Sequence, residues 1–377
     1  MISASFLPAT GGVQFQVKYL SEALAEKGVE LFLLSFNDGK RFLNKKSNGF
    51  PVLIKLDNKG IIYGTIELWR KIKEISPDVI HVHSAETQAF QIAFLKTFGF
   101  IKQPFIITSH GVDIMIQPEI NYGFRLRPFI NPIIRFILKK SAKHVIVGGC
   151  MKKYALDAGS KPEKIIEINN GVPLLKKEIS AENVASVLNK FKIGTEPVLF
   201  SLSGMRPLKG IEYMVKAMPK IIKEFPSAKL ILSGRLNKFG KQIKDLVDSM
   251  NLEKNIQFVG VIEDEEEKLI LLRRADIFCK PSLLEACSVA IIEALKEGKA
   301  IVASIPGGID IINDNVNGLL VKVKDSDDFA AKVINILKDN NLRKKIELGA
   351  EERAKFFDIE KIAIQYISLY EKTRHEN

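Results

Sequence analysis

Residues 276–304, DIFCKPSLLEACSVAIIEALKEGKAIVAS, contain a complete strand–helix–strand unit. Apolar runs at 276–280 and 300–304 predict two strands, and the residues between them have helical periodicity. Ser288 can cap the first turn of this helix, and Gly298 stands where a left-handed residue commonly ends one. Because neighbouring strands joined by a helix run parallel, this stretch predicts an α/β fold with a doubly wound sheet.

The same alternation of strands and helices occurs twice along the chain. Short runs rich in Val, Ile and Phe predict strands of a first sheet at 31–36, 78–82, 104–108 and 144–148. The pattern restarts after residue 172 and predicts a second sheet with strands at 197–203, 229–233, 256–260, 276–280 and 300–304. The length of 377 residues also favours two domains over one.

We therefore expect two Rossmann-like, doubly wound domains, at 1–172 and 173–360. A final helix at 361–377 is expected to cross back to the first domain, and 171–196 is expected to be the linker around a short helix. Ligands of open α/β sheets bind beyond the carboxyl ends of the strands. Two such domains facing each other predict an active site in the cleft between them.

The composition is that of a folded protein, with 46% apolar and 27% charged residues. The three cysteines, Cys150, Cys279 and Cys287, form no CxxC pair, which argues against a disulfide framework or a zinc site and favours a reducing compartment. The first residues lack a signal-peptide pattern, and no run of about 18 apolar residues occurs. We expect a cytoplasmic protein without a membrane span.

Basic residues are concentrated in the first half of the chain, whose overall net charge is +12. Residues 1–172 carry 23 Lys and Arg against 14 Asp and Glu, a net +9, whereas the rest carries 33 against 30, a net +3. A basic surface attracts anionic partners, among them nucleotide phosphates, phospholipid head groups and nucleic acid. The net charge alone does not indicate which of these partners the protein binds.

The segment 281–293, PSLLEACSVAIIE, places Glu285 before the predicted helix and Glu293 within it. Backbone N–H groups at the start of this helix, from Cys287, Ser288 and Val289, form a ready anion site. The Cys287 thiol has no histidine in a recognisable arrangement beside it. Packing or backbone use is therefore preferred over a nucleophilic role.

This segment resembles the Glu-x7-Glu signature of glycosyltransferase family 4. The resemblance runs nearly end to end, through Gly11-Gly12, 78–83 (DVIHVH), Ser109-His110-Gly111, Asn170-Gly171-Val172, Lys209-Gly210 and 317–320 (NGLL). Members of the family have the GT-B fold of two facing Rossmann-like domains. The resemblance implies a retaining glycosyltransferase whose donor substrate is a nucleoside-diphosphate sugar and which uses no further cofactor.

The resemblance also implies roles for individual residues. Glu285 would bind hydroxyls of the transferred sugar, Glu293 the ribose hydroxyls, and His110 the donor sugar, with Asp113 close behind. The donor-binding set is completed by Gly11, Gly12, Gly260, Cys287, Ser288 and Val289. The Gly11-Gly12 pair allows close backbone approach to a ligand but does not form GxGxxG, which weakens a dinucleotide-dehydrogenase interpretation.

Negative charge develops on the leaving phosphate as the glycosidic bond breaks, and a positioned Lys or Arg neutralises it. Lys209, in 203–210 (SGMRPLKG), resembles the family's phosphate-binding lysine, and Arg206 would accompany it. Met205 precedes Arg206 and shortens the usual spacing, which leaves the role of Arg206 open. Arg235, at the end of the next strand, is an alternative contact to phosphate, and an exposed loop arginine is an equal interpretation of it.

Two other departures from the family pattern leave donor specificity open. Ala286-Cys287-Ser288 follows Glu285 where the family often has Gly-Phe-Gly, and the later Gly-Gly loop ends one residue short, at Asp310.

His81 and His83 share one face of a predicted strand, but no third ligand follows at metal spacing and no Asp-x-Asp motif is present. We expect metal-independent chemistry.

The predicted reaction is transfer of a hexosyl group from a UDP- or GDP-sugar to a saccharide, lipid or lipid-linked saccharide, as in cell-envelope or extracellular polysaccharide synthesis. A GT-B sugar-nucleotide epimerase or a glycosidic phosphorylase is the enzymatic alternative. A non-catalytic protein that binds nucleotide sugars is the alternative from another class. No nucleic-acid partner is expected.

Residues 121–143, NYGFRLRPFINPIIRFILKKSAK, interleave apolar and basic side chains without an acidic one. Such a stretch can lie in the interface of an anionic bilayer, and 40–46 (KRFLNKK) could add to it. The alternative is that 129–138 forms the buried face of a helix whose basic groups lie in water. The two interpretations are compatible, because a helix can bury its apolar face and still expose a basic edge. Some members of the family that this chain resembles act at a membrane surface, so we expect peripheral association with the inner face of the membrane.

Overall fold

The computed structural model describes residues 1–4, 6, 11–35, 52–56 and 60–376. The chain forms two compact units, one of Met1–Pro173 with Phe357–Asn377 and the other of Leu174–Phe356. These boundaries lie one and four residues from the expected ones at 172 and 360. The C-terminal helix belongs to the first unit.

In the described part of the first unit, seven parallel strands form one sheet in the order β3-β2-β1-β4-β5-β6-β7. The strands are β1 (Ile2–Ser3), β2 (Phe32–Ser35), β3 (Val52–Lys55), β4 (Ile80–His83), β5 (Phe105–Ser109), β6 (Lys143–Ile146) and β7 (Ile165–Glu167). The helices that precede the second unit are α1 (Gly12–Glu26), α2 (Ile61–Ile75), α3 (Thr87–Thr97), α4 (Ile130–Lys140) and α5 (Lys152–Asp157). The central strands are buried along their whole length, as expected for a parallel sheet covered on both faces.

The second unit contains six parallel strands in the order β10-β9-β8-β11-β12-β13. The strands are β8 (Val198–Leu202), β9 (Lys229–Ser233), β10 (Ile256–Gly260), β11 (Ile277–Lys280), β12 (Ala300–Ser304) and β13 (Leu319–Val321). The helices are α6 (Ala181–Lys190), α7 (Ile211–Glu224), α8 (Lys238–Ser249), α9 (Glu265–Arg274), α10 (Val289–Lys296), α11 (Ile305–Gly308), α12 (Ser326–Lys338) and α13 (Asn340–Ala354). Its core joins α7, α8 and α12 to the apolar side chains of the sheet.

The last helix, α14 (Ile359–His375), packs on α1 in the first unit and contributes Ile362, Ala363 and Tyr366 to its core. Asp358 caps this helix by accepting from Glu360 N. The chain reaches it beside Gly171, where a side chain would lie 3.0 Å from the carbonyl oxygen of Phe357. The backbones at Gly171 and Phe357 are therefore in close contact where the chain returns to the first unit.

All nine predicted strands are present, with ends shifted by at most two residues. The predicted cap is confirmed, because the Ser288 hydroxyl accepts from Ile291 N, and Gly298 has φ 63 after the end of α10. Sequence reasoning missed four strands of two to four residues, namely Ile2–Ser3, Val52–Lys55, Ile165–Glu167 and Leu319–Val321. Three of these runs have only two or three residues, which is too few to show a periodicity.

The expected linker at 171–196 is shorter than predicted. Its helix α6 packs against α9 in the second unit, where Asn183 Nδ2 donates to Glu266 Oε1 at 2.6 Å. Phe191 and Ile193, which follow α6, are buried. These apolar residues fold with the second unit because burial removes their side chains from water.

When the strands of each sheet are numbered along the chain, the second sheet has the order 3-2-1-4-5-6, and the first has the same order with a seventh strand added after the sixth. The order reverses between β1 and β4 in the first unit and between β8 and β11 in the second. Loops that leave such neighbouring strands in opposite directions open a crevice at their carboxyl ends. These two switch points therefore indicate where functional side chains should gather.

Candidate functional site

Two loops meet at the switch point of the second unit. Leu283 N, after β11, donates to Leu208 O, after β8, at 2.7 Å. Gly210 has φ 64, and a Cβ there would lie 2.0 Å from Pro281 O, so only glycine fits this contact. The Lys209-Gly210 loop is thereby held against the loop that carries Glu285.

The two predicted charged residues come together across these loops. Lys209 Nζ donates to both carboxylate oxygens of Glu285, at 2.8 and 2.9 Å. Lys280 Nζ, at the end of β11, lies 3.4 Å from Glu285 Oε1 and donates to Ser203 Oγ at 2.9 Å. The site thus contains one carboxylate between two ammonium groups.

Sequence reasoning missed Lys280. The available signal was a charged residue ending the apolar run Ile277–Cys279, at a position that the strand pattern buries. Burial and the charge of Lys209 lower the pKa of Lys280 to about 8. Burial would raise the pKa of Glu285, but Lys209 and Lys280 outweigh it and hold this pKa below its ordinary value. At neutral pH the carboxylate is therefore ionised, and most Lys280 side chains are protonated.

The N-terminus of α10 lies on the same loop as Glu285. Cys287, Ser288 and Val289 are all buried, and the first-turn amides of a helix have no partner within the helix itself. Such amides attract anions. The predicted backbone role of these three residues stays a prediction. The Cys287 thiol is at a packed position near this turn, as the sequence analysis preferred.

Glu293, on the second turn of α10, is paired with a residue that the sequence analysis did not single out. Lys268 Nζ of α9 donates to Glu293 Oε1 at 2.7 Å, and the two side chains are only 11% and 12% exposed. A second pair joins the same helices further on, where Arg273 Nε lies 2.8 Å from Glu297 Oε2. Lys268 therefore orients the predicted ribose-binding carboxylate.

The two candidate arginines are exposed. Arg206 precedes the turn that carries Lys209, and the intervening Met205 is a buried core residue. Met205 fills the space beside Gly240, where a Cβ would lie 3.3 Å from the methionine side chain. The altered spacing thus has a packing reason.

Arg235 follows Gly234, whose own N–H donates to Gly260 O at 2.7 Å. Gly260 has φ 73 at the end of β10, and this hydrogen bond ties the ends of β9 and β10 together. Arg235 and Gly260 therefore lie at the carboxyl edge of the sheet, on the side of β8 away from β11.

In the first unit, Gly11 and Gly12 form the start of α1, with Gly11 as its N-cap residue. The loop residues 7–10 just before them lie outside the described residues. Further along α1, Gln16 Oε1 accepts from Gly171 N at 3.0 Å. This bond connects the Asn170-Gly171-Val172 motif to the helix that the glycine pair begins.

His110 lies beside His83, with His110 Nε2 and His83 Nδ1 3.0 Å apart. His81 is bonded through Nδ1 to Tyr370 Oη and through Nε2 to Thr108 Oγ1, each at 2.7 Å. Burial lowers the pKa of His110 to about 4 and keeps the pKa values of His81 and His83 well below the ordinary one. These histidines are uncharged at neutral pH, and their partners are hydroxyls and one another.

Asp113 acts as the anchor of the loop after β5. Its carboxylate accepts from Ala85 N at 2.9 Å, from Ser109 Oγ at 2.7 Å and from Gly111 N at 3.2 Å. The Ser109 hydroxyl donates to Asp113 and therefore accepts from His144 Nε2, 2.9 Å away. Asp113 thus fixes the backbone around His110.

Among the described residues, no three His, Cys, Asp or Glu side chains are grouped so that they could hold a metal ion.

Family models match both halves of the chain. The model described as Glycosyltransferase Family 4 matches residues 10–175, and the model described as Glycosyl transferases group 1 matches residues 187–353. The chain is a family 4 glycosyltransferase. The prediction of this family from the Glu285 and Glu293 spacing is confirmed, and the transferase interpretation prevails over the epimerase, phosphorylase and non-catalytic alternatives.

Curated relatives of this glycosyltransferase align over nearly its whole length. It is 26% identical to the phosphatidyl-myo-inositol mannosyltransferase of Mycolicibacterium smegmatis over 375 residues, 96% of this chain and 90% of the relative. It is 25% identical to the N-acetyl-alpha-D-glucosaminyl L-malate synthase of Bacillus anthracis over 380 residues, 98% of this chain and 96% of that one. These relatives transfer different sugars to different acceptors, as their names state.

Solved structures confirm the GT-B fold. Anabaena HepE in complex with UDP-glucose superposes with a TM-score of 0.82 at 17% identity, covering 98% of this chain and 99% of that one. Sucrose-phosphate synthase from Thermosynechococcus elongatus superposes with a TM-score of 0.80 at 20% identity and full coverage of both chains. The glycosyltransferase therefore has the predicted pair of Rossmann-like units.

The basic segment 121–143 of the glycosyltransferase divides into buried and exposed parts. Ile134, Ile137 and Leu138 of α4 are buried, which confirms the interpretation of a buried helix face for these residues. Phe129 does not belong to that face, because it precedes the helix as its N-cap residue and is 84% exposed. Arg127, Arg135, Lys139 and Lys140 remain exposed, so a basic edge is also present.

Arg125 does not belong to the exposed edge of this segment. Its guanidinium is buried, donating to Asp157 Oδ2 at 2.7 Å and to Ile114 O at 3.0 Å. The segment 40–46, expected to add to the basic surface, lies outside the described residues. None of the helices in the described part of the chain combines the length and apolar character needed to cross a bilayer.

Proposed function

We propose that the glycosyltransferase moves a hexosyl group, with retention, from a UDP- or GDP-sugar to a hydroxyl of a saccharide, lipid or lipid-linked saccharide. The observation that carries this proposal is the Lys209–Glu285 ion pair at the β8/β11 switch point, beside the N-terminus of α10. A lysine and the first-turn amides of a helix suit a pyrophosphate, and a neighbouring carboxylate suits the hydroxyls of a sugar. The donor would therefore bind to the second unit.

Each predicted site residue has a role in this proposal. Lys209 would neutralise the leaving phosphate, and Glu285 would hold the transferred sugar. Glu293, kept in place by Lys268, would bind the ribose. The exposed Arg206 and Arg235 would supply further positive charge to the phosphates, with Gly260 allowing close approach.

The first unit would supply the neutral polar groups for hydroxyls. His110 is uncharged, fixed by His83 and Asp113, and therefore suits a sugar or acceptor hydroxyl better than an anion. The Gly11-Gly12 turn would allow the ligand to approach the backbone.

Comparison with known proteins supports a nucleotide-sugar donor but leaves its identity to experiment. The structural neighbour HepE was solved with UDP and with UDP-glucose. The relative from Mycolicibacterium smegmatis is a mannosyltransferase acting on phosphatidyl-myo-inositol, a lipid acceptor. These two cases support a hexose linked to a nucleotide and a lipid acceptor within the range proposed here. The choice between UDP and GDP, and a role in envelope or extracellular polysaccharide synthesis, remain parts of the proposal.

The donor is tested by thermal-shift measurements with UDP, GDP, ADP and their hexose conjugates. A ligand at 100 times its dissociation constant stabilises the native state by about 2.7 kcal/mol, so the correct nucleotide should stand out. Nucleotide release that depends on acceptor, with an α-linked product from an α-linked donor, is expected. Binding of no nucleotide in this panel would contradict the proposal.

We also propose that the reaction needs no metal ion. The ammonium group of Lys209 and the helix amides would provide the positive charge that a divalent cation supplies elsewhere. Addition of EDTA is expected to leave turnover unchanged. Loss of activity that Mg²⁺ or Mn²⁺ restores would overturn this part of the proposal.

Peripheral association with the cytoplasmic face of an anionic membrane is the remaining part of the proposal. The exposed side chains of Arg127, Arg135, Lys139 and Lys140 support it, each worth about 1 kcal/mol near an anionic surface. Sedimentation with liposomes should increase with anionic lipid and decrease with salt. Replacement of these four residues by Ser should weaken binding, whereas Arg125 must be kept because it is buried. Liposome binding that does not depend on the content of anionic lipid would contradict the proposed membrane association.

A further inference from the structure

Lys280 is a charged residue in a strand that otherwise belongs to the core. The preceding residues Ile277, Phe278 and Cys279 are fully buried, and only 4% of the Lys280 side chain is exposed. Taking an ammonium group out of water costs free energy unless partners offset the loss. Its partners therefore indicate why a lysine occupies this position.

The partners of Lys280 belong to the donor site. Lys280 Nζ donates to Ser203 Oγ at 2.9 Å and lies 3.4 Å from Glu285 Oε1. Lys209 Nζ approaches the same carboxylate from the other loop, at 2.8 and 2.9 Å from its two oxygens. One carboxylate is thus shared by lysines that come from neighbouring strands.

The two lysines differ in their access to a ligand. The Lys209 side chain is 18% exposed and that of Lys280 only 4%, so Lys209 can reach an entering phosphate and Lys280 cannot. Glu285 takes two of the three N–H donors of the Lys209 ammonium, so Lys209 must release a carboxylate contact before it can donate to more than one phosphate oxygen. Once Lys209 turns to the phosphate, Glu285 needs another cation.

We propose that Lys280 is a positioning residue whose buried ammonium holds the Glu285 carboxylate in place for the donor sugar while Lys209 engages the donor phosphates. This inference rests on the proposed function of Lys209 and Glu285. Burial and the charge of Lys209 lower the pKa of Lys280 to about 8, so Lys280 still carries its charge in most molecules at pH 7.

The test compares Lys280→Met with Lys299→Met in the full chain. Both variants remove a partly or fully buried ammonium of similar size, but Lys299 Nζ donates to Ala275 O at 3.0 Å, away from the carboxyl edge. Calorimetry with UDP and GDP measures binding of the bare nucleotide, and kcat is measured with the sugar nucleotide that the donor panel identifies. Thermal unfolding measures the structural cost of each substitution.

Lys280→Met is expected to lower kcat by about 10- to 100-fold, the value of one hydrogen bond to a charged group. Binding of the bare nucleotide should change less than about threefold, because Lys209 and the helix amides remain. Lys299→Met should keep wild-type kcat whatever its unfolding temperature. Unchanged kcat in Lys280→Met, or an equal loss of bare-nucleotide binding, would overturn the inference.

Coupling to Glu285 gives a readout that a purely structural role would not produce. In a Glu285→Gln background, Lys280→Met should cost little or nothing further in kcat, because the carboxylate that it positions is gone. Additive losses would overturn the inference.

If Lys280→Met does not fold, Ser203→Ala is the alternative variant, because it removes the hydrogen bond from the Lys280 ammonium to the Ser203 hydroxyl. It should lower kcat about 3- to 10-fold at unchanged nucleotide affinity, and unchanged kcat would be decisive against the inference. A wild-type chain that binds UDP or GDP but transfers no sugar would contradict the proposed function instead.

Discussion

The switch points of the two sheets have the same strand order but opposite chemistry. At β8/β11, Lys209, Lys280 and Glu285 are charged and in ionic contact. At β1/β4, His83 at the end of β4 is bonded to His110, and burial keeps both uncharged at neutral pH. The shared topology fixes where functional side chains gather, whereas their charge decides whether that place suits a phosphate or a hydroxyl.

The largest effect is expected from removing the accessible cation of the charged switch point. Lys209→Ala should lower kcat/KM for the sugar nucleotide by about 10²–10³ while the fold stays intact, because leaving-group charge is no longer neutralised. Lys216→Ala, an exposed lysine of the same unit, is the matched control. Steady-state kinetics with the identified donor provide the measurement, and near-wild-type turnover would show that the site is wrongly assigned.

A smaller effect is expected from the pair that joins α9 to α10. Lys268→Met should raise the donor KM by about tenfold, since Glu293 loses the charge-assisted bond that orients it, and Glu293→Ala should raise it at least as much. Arg273→Met breaks the neighbouring pair with Glu297 between the same helices. Arg273→Met should reduce stability but leave the donor KM unchanged. If Lys268→Met and Arg273→Met raised KM equally, the two ion pairs would serve only to hold the helices together.

Glu86, which follows β4, is only about half ionised at pH 7, because burial and the charge of Asp113 raise its pKa to about 7. The unfolded chain has the lower pKa, so the native state loses stability as the pH rises from about 4.5 to 7. Glu86→Gln removes this cost and should increase the free energy of unfolding by about 1–2 kcal/mol at pH 8.

Denaturant titrations at pH 8 and at pH 4.5 measure the change for Glu86→Gln, and the gain should vanish at the lower pH. Glu119→Gln, an exposed glutamate of the same unit, should change neither value. A gain of equal size at both pH values would show that ionisation of Glu86 is not its cause.

The smallest effect concerns the histidines, for which no change is expected. The pKa values of about 4 for His110 and about 3 for His144 place their protonation below the physiological range. Their imidazole C–H resonances should therefore stay constant between pH 5.5 and 8 in nuclear magnetic resonance spectra. Titration of His110 near pH 6.5 would give the first unit a charge and remove the contrast between the two switch points.

The sequence by itself determined the α/β class, nine of the strands, the capped helix α10 and the family. The strands and helices follow from the local periodicity of apolar residues, and the family follows from the spacing of Glu285 and Glu293. Both features are present in the linear sequence. Whether the predicted site residues, Glu285 and Glu293 included, bind as expected stays a prediction.

Tertiary structure decided which side chains became partners. Lys209 and Glu285 are 76 positions apart and Lys280 and Ser203 are 77 apart, yet each pair meets because β8 and β11 are neighbours in the sheet. The same holds for Arg125, whose burial against Asp157 removes it from the basic surface that its sequence neighbours suggested. Periodicity reports the environment of one segment at a time, and only strand order and helix packing bring charges from distant segments within hydrogen-bond distance.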